Sequence, residues 1–236
     1  MFKLRENGYT YTAYAALLVL LAFLTFGSLS THLFDTDDYG YWHIMSVTLE
    51  DWTYFFSPSR DLAVRPPSDL FFLISYSLWD YDPGPPHVLQ VVFHLACSLL
   101  LAYTFRQFGI HLELSLLAAL LFFMNVAHFR AVQWITCMNY TVGMIFVLCT
   151  LIAFVRFLKS RRQFWLFGAA GLLAIAIFTH PGTFAVTLFL TYLTWRKHGS
   201  VRQTVAALWP LLVVALVCVV TAYAISTQSS QVQGLS

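Results

Sequence analysis

Apolar residues in this chain gather into seven long runs, at 12–29, 86–105, 114–128, 140–157, 164–179, 183–195 and 205–225. A helix needs roughly 20 mostly apolar residues to cross the hydrocarbon core of a bilayer, fewer where neighbouring helices cover its ends. Each run is therefore read as a span, with soft boundaries for the short third and sixth. The expected fold is all-α, a polytopic transmembrane helix bundle of about seven spans forming one domain over residues 1–236. Lys3 and Arg5 before the first run would suit a signal peptide. That run is long for one, however, and Gly27-Ser28-Leu29-Ser30 is a poor cleavage site, which favours an uncleaved signal anchor.

Only one non-spanning segment is long, 30–85. Residues 37–49 and 68–79 are rich in aromatic and aliphatic side chains at helical spacing, punctuated by Pro66-Pro67 and by Asp82-Pro83-Gly84-Pro85-Pro86. Surface helices are expected there. The last residues, 227–236, read as a polar tail.

Composition agrees with the pattern. Hydrophobic residues make up 59% of the chain and charged residues 10%, against about 25% charged in soluble domains. Mean hydropathy is +0.70. The net charge of +2 is not gathered into a stripe, so nucleic acid is not an expected partner. With the N-terminus inside, ten Lys and Arg fall on the cytoplasmic side, and only Arg60, Arg65 and Arg130 fall outside. This positive-inside bias orients the bundle in a plasma (inner) membrane with its C-terminus outside. Nine acids then lie outside, leaving Glu6 and Glu113 inside. Trp42, Trp52, Trp79 and Trp134 are expected at the outer interface as anchors, and Trp165 and Trp195 at the inner one. Cys97, Cys137, Cys149 and Cys218 fall in or near spans and indicate no disulfide framework.

The chemistry concentrates just after the first run, where Asp35, Asp37 and Asp38 crowd into four residues. Carboxylates this close repel one another unless a cation, a proton or a basic group compensates them. Alternatively, Asp35 or Asp37 caps a surface helix that starts here. His32 and His43 with Asp35 to Asp38 make an oxygen-and-imidazole set that a divalent metal could use, without diagnostic spacing. His94 and His180 lie in or near spans. They read as buried hydrogen-bonding residues, with haem or pigment ligation left open.

Several segments together resemble the GT-C membrane glycosyltransferases, and most closely the protein O-mannosyltransferase-like branch that often carries tetratricopeptide repeats. They are Asp37-Asp38-Tyr39, the stretch from Val64-Arg65-Pro66-Pro67 through Trp79, His87-Val88-Leu89-Gln90, Phe93-His94-Leu95-Ala96, and Ala127-His128-Phe129-Arg130-Ala131-Val132-Gln133-Trp134. The resemblance implies transfer of a sugar from a polyprenyl-phosphate carrier to an acceptor on the outer face. It nominates Asp37 and Asp38 as the catalytic carboxylates, of which a helix can turn only one into a cleft. Arg65, Arg130 and His128 are nominated for the lipid phosphate or substrate. The chain departs from the family's pattern at Asn125-Val126, Arg130, Thr136 to Asn139 and His180-Pro181. It also stops after the seventh run, where relatives continue. Two readings follow: a glycosyltransferase acting on membrane lipid, or a non-catalytic GT-C-derived accessory subunit that packs against other membrane protein subunits.

Overall fold

The computed structural model describes residues 8–57, 60 and 64–233. Lys3, Arg5, Glu6 and Asp61, used above to orient the chain, lie outside the described residues. Every regular element among those described is helical. The α-helices are α1 (Gly8–Phe26), α2 (Thr36–Glu50), α3 (Pro66–Trp79), α4 (Gly84–Gln107), α5 (Leu112–Phe123), α6 (Phe129–Gln133), α7 (Met138–Ser160), α8 (Gln163–Thr179), α9 (Ala185–His198) and α10 (Val201–Gln233). Short 3-10 turns link several of them.

The seven apolar runs fall largely in helices. Four helical segments are long and apolar enough to cross a membrane: Tyr9–Thr31, Gly84–Gln107, Ile135–Ser160 and Val201–Thr221. A fifth would be the pair Leu112–Phe123 and Val126–Gln133, taken as one span bent by 48°. The sequence led us to expect a continuous third helix through His128. Instead the chain breaks after Met124, because Asn125 adopts an extended backbone and its side chain accepts the Ala127 N–H at 3.0 Å. The described part of the polar tail is helical, as α10 continues to Gln233.

Helix ends follow local chemistry. Pro66 and Pro67 begin α3, where a missing N–H is harmless. Pro181 cannot continue α8, which stops at Thr179. Gly199 closes α9 at φ 66°, a left-handed conformation that favours glycine.

Three apolar clusters hold the helices together. Phe154, Leu173, Ile177, Leu190, Leu208 and Leu211 are buried where α7, α8, α9 and α10 meet. Leu18, Phe26, Ala119 and Phe123 join α1 to α5. The third cluster docks the surface helices on the bundle: Trp42 and Met45 of α2 and Phe72 of α3 pack against Ile135, Met138 and Val142. Trp42 is thus no interfacial anchor. It is completely buried, and its indole N–H donates to the Asp80 carbonyl beyond the end of α3.

At the opposite end the bases collect. Arg156 of α7 donates to the Tyr103 hydroxyl and stacks on Trp165, while Lys159 donates to the Gln107 carbonyl of α4. The bundle therefore has a basic end and, under α2 and α3, an acidic one.

Candidate functional site

The site grows from the start of α2. Asp35 is the N-cap, with its side chain accepting the Thr36 N–H at 2.8 Å, and Asp38 completes a capping box by accepting the Asp35 N–H at 3.0 Å. The capping alternative therefore describes Asp35. Asp37 and Asp38 part company as neighbours on a helix must. Asp37 is exposed, whereas Asp38 is fully buried.

Burial alone would be costly for the Asp38 carboxylate, so its lone pairs are occupied. Besides Asp35, it accepts from both the backbone N–H (2.8 Å) and the hydroxyl of Thr136, 98 residues away. Desolvation pushes its pKa above the ordinary value and outweighs these hydrogen bonds, which pull it down. Asp38 consequently pins α2 to the short turn Ile135–Cys137 that leads into α7.

Arg65 precedes Pro66 at φ −134° and ψ 74°, outside the α region that a following proline disfavours. Its N–H donates to Asp69 at 2.8 Å. Asp69 also forms a completely buried ion pair with Arg60 at 3.1 Å, and Arg60 in turn donates to the Phe55 carbonyl at 2.9 Å. Arg60 is thus committed to the fold. Desolvation raises the Asp69 pKa, while the Arg60 charge acts in the opposite direction.

Beyond the break at Asn125, α6 presents the other nominated residues. His128 approaches His94, with ring centroids 5.7 Å apart, and Arg130 lies over the Trp134 ring at 4.5 Å. They line a cavity of about 560 Å³ together with Cys137, Tyr140 and Thr141. His94 in its wall points Nε2 at the Phe123 carbonyl at 3.1 Å, which fixes the tautomer as Nε2–H because a carbonyl can only accept. This supports the buried hydrogen-bonding reading of His94. A second chamber, of about 500 Å³, shares Arg130 and Trp134 as a wall and is bordered by His32, Asp35 and His87.

Three of the nominated residues meet here: His128 and Arg130 line the first cavity with Cys137, and Asp38 holds Thr136, the residue before Cys137. Asp37 and Arg65 line neither that cavity nor the second chamber. Asp37 and Asp38 come from α2, Arg65 from the start of α3, and His128 and Arg130 from the broken helix. The metal set does not assemble: among the described residues, no three His, Cys, Asp or Glu side chains come together as ligands.

Sequence reasoning missed the polar residues that hold this arrangement. Gln90 of α4 is fully buried, donates to the Ala131 carbonyl at 2.7 Å and accepts from the Thr141 hydroxyl at 3.1 Å, so it ties α4 to both α6 and α7. In the sequence Thr136 stands out only as a departure from a family pattern. A signal did exist for Gln90, since an amide inside an apolar run needs a partner. No local pattern names Thr136 as the partner of Asp38. Comparison with protein-family models, with curated proteins and with solved structures gives no match.

Proposed function

We propose that the chain is a GT-C-like integral membrane glycosyltransferase that moves a sugar from a polyprenyl-phosphate carrier to an acceptor hydroxyl at the outer face. The observation that carries this reading is the meeting of His128 and Arg130 in one cavity whose Cys137 wall follows Thr136, the partner of Asp38. In the reaction, the acceptor oxygen attacks the anomeric carbon as the bond to phosphate breaks, and the phosphate leaves with the bonding electrons. The acceptor proton passes to a carboxylate. Asp37 is the candidate base because it is exposed, whereas both Asp38 oxygens already accept internal hydrogen bonds. Asp38 is a positioning residue in this scheme. Arg65 and Arg130 would stabilise charge on the leaving phosphate, with His128 beside them.

The membrane topology belongs to the same proposal. In this scheme the shorter helices α8 and α9 and the bent α5–α6 pair complete seven spans, as short helices can where neighbours cover their ends. The basic end then faces the cytoplasm and the acidic end the outer side.

Sugar transfer by membranes carrying wild type and Asp37→Asn tests the reading. The variant is expected to lose at least about a hundredfold in rate, the usual contribution of a general base. Transfer at the wild-type rate would remove Asp37 from catalysis. Unchanged transfer in Asp37→Asn combined with Asp38→Asn would remove the enzymatic reading altogether.

The accessory-subunit reading is favoured by one observation, the complete internal use of the Asp38 carboxylate. It requires a stable membrane partner. Purification in mild detergent as a solitary chain would count against it.

A further inference from the structure

A groove runs between α1 and α4, and none of the residues nominated for the transferase lines it. Its inner stretch, of about 420 Å³, combines the buried Ala22, Phe26 and Leu29 with the exposed Val19, Phe23 and Val92. A second stretch, of about 600 Å³, shares Ser30, Val88 and Val92 with the first and reaches Trp79 and Asp82, where α3 gives way to α4. The two stretches form one groove. Its head is closed by a tight backbone approach: a Cβ at Gly84 would stand 2.8 Å from the Ser30 carbonyl oxygen, so glycine is needed there.

Polarity changes along this groove as it does along a lipid. Both α1 and α4 belong to segments long and apolar enough to cross a membrane. No charged side chain lines the inner stretch, and Ser30 is its one polar side chain. That stretch suits an acyl chain. At the mouth, Asp82 is the only charged side chain in the lining. Its Oδ1 accepts the Gly84 N–H at 3.0 Å, which leaves Oδ2 for a ligand. Trp79 adds an aromatic ring, whose face attracts cations and which suits the level of lipid headgroups. A carboxylate and an indole with no base beside them favour a positively charged headgroup. A primary ammonium fits better than a quaternary one, because only the former can donate a hydrogen bond to Oδ2.

We propose that this groove binds a phosphatidylethanolamine, with one acyl chain between α1 and α4 and the ammonium held by Asp82 beside Trp79. The site stands even if the chain transfers no sugar.

Native mass spectrometry of the full chain in detergent tests it, with dioleoyl phosphatidylethanolamine, phosphatidylcholine and phosphatidylglycerol titrated separately. Phosphatidylethanolamine is expected to bind about tenfold more tightly than either of the others, the usual effect of a hydrogen bond between charged groups. Asp82→Asn keeps an oxygen for the Gly84 N–H and removes the charge, so it should abolish that preference. Trp79→Leu should weaken phosphatidylethanolamine about threefold through loss of the ring face. Val92→Trp fills the stretch common to both parts of the groove and should weaken all three lipids. The proposal is overturned if the wild type binds the three lipids equally, or if Asp82→Asn keeps the preference. A stable dimer that binds no lipid would also overturn it and assign the groove to a second copy of the chain. Helical circular dichroism and monodispersity establish that each variant is folded. If Val92→Trp fails to fold, Asp82→Asn decides.

Discussion

The two ends of the bundle are built by different physics. Around Leu173, α7, α8, α9 and α10 meet mainly through apolar side chains, and the Thr194 hydroxyl there returns to its own helix at Leu190. At the acidic end apolar packing brings α2 and α3 into place, but polar pins set their positions: Asp38 to Thr136, Asp69 to Arg60 and Arg65, Gln90 to Ala131 and Thr141. Packing tolerates small shifts, whereas a buried polar pair fixes a distance. The difference explains why the cavities and the nominated residues sit at the pinned end, where a side chain can be held in place beside open volume.

Breaking the most buried pin should have the largest effect. Arg60→Met leaves the Asp69 carboxylate without its ion-pair partner in a fully buried position, with an expected loss of about 3–5 kcal/mol. The loss should depend on pH. Burial already raises the Asp69 pKa above 3.8, and removal of Arg60 raises it further. Such an acid binds its proton more readily folded than unfolded, so stability increases as pH falls through the folded pKa toward the ordinary carboxylate value. Unfolding in detergent at pH 5 and pH 8 should show the smaller deficit at pH 5. An equal deficit at both would mean that Asp69 is already neutral in the wild type.

Leu173→Ala probes the contrasting end, with an expected loss of about 2–4 kcal/mol from a fully buried position. Here the deficit should be the same at pH 5 and pH 8, because among the described residues the cluster contains no carboxylate, imidazole or amine. A pH-dependent deficit would show that the two ends are coupled.

Asp38→Ala comes next, at about 2 kcal/mol, since it leaves the Asp35 and Thr136 N–H groups without their carboxylate acceptor. Thermal unfolding measures it, and Thr136→Val as a partner substitution should give a coupled, non-additive loss. Additive losses would dissolve the pin.

These residues also mark what could be read from the sequence. The apolar runs located the helices because a membrane span depends on length and composition, both local quantities. Proline and the acid cluster located α2 and α3 for the same reason. Of the residues that the resemblance nominated, Asp37, Asp38, Arg65, His128 and Arg130, the last two line one cavity and Asp38 anchors the turn beside it. Their distinct situations were not legible. That Asp38 turns inward depends on the phase of α2 against a turn 98 residues away. Burial of the Arg60–Asp69 pair likewise depends on how α3 docks. The break at Asn125 was hidden because the residues after it remain apolar enough to continue a span.

That break provides the mildest test of the contrast. Asn125 turns the chain, its side chain accepting the Ala127 N–H and its carbonyl the His128 N–H, so that α6 departs at 48° and presents His128 and Arg130. Packing supports the same bend, because Phe26 contacts both Phe123 and Phe129, with ring centroids 5.9 and 6.3 Å away. If the cap sets the bend, Asn125→Ala should destabilise locally by about 1 kcal/mol. Amide hydrogen exchange over residues 126–134 would then quicken about fivefold, with α5 and the Leu173 cluster unchanged. If Phe26 and its partners set the bend, exchange there stays at the wild-type rate. In that case the broken helix belongs with the packed end of the molecule, and the pinned region contracts to Asp38, Asp69 and Gln90.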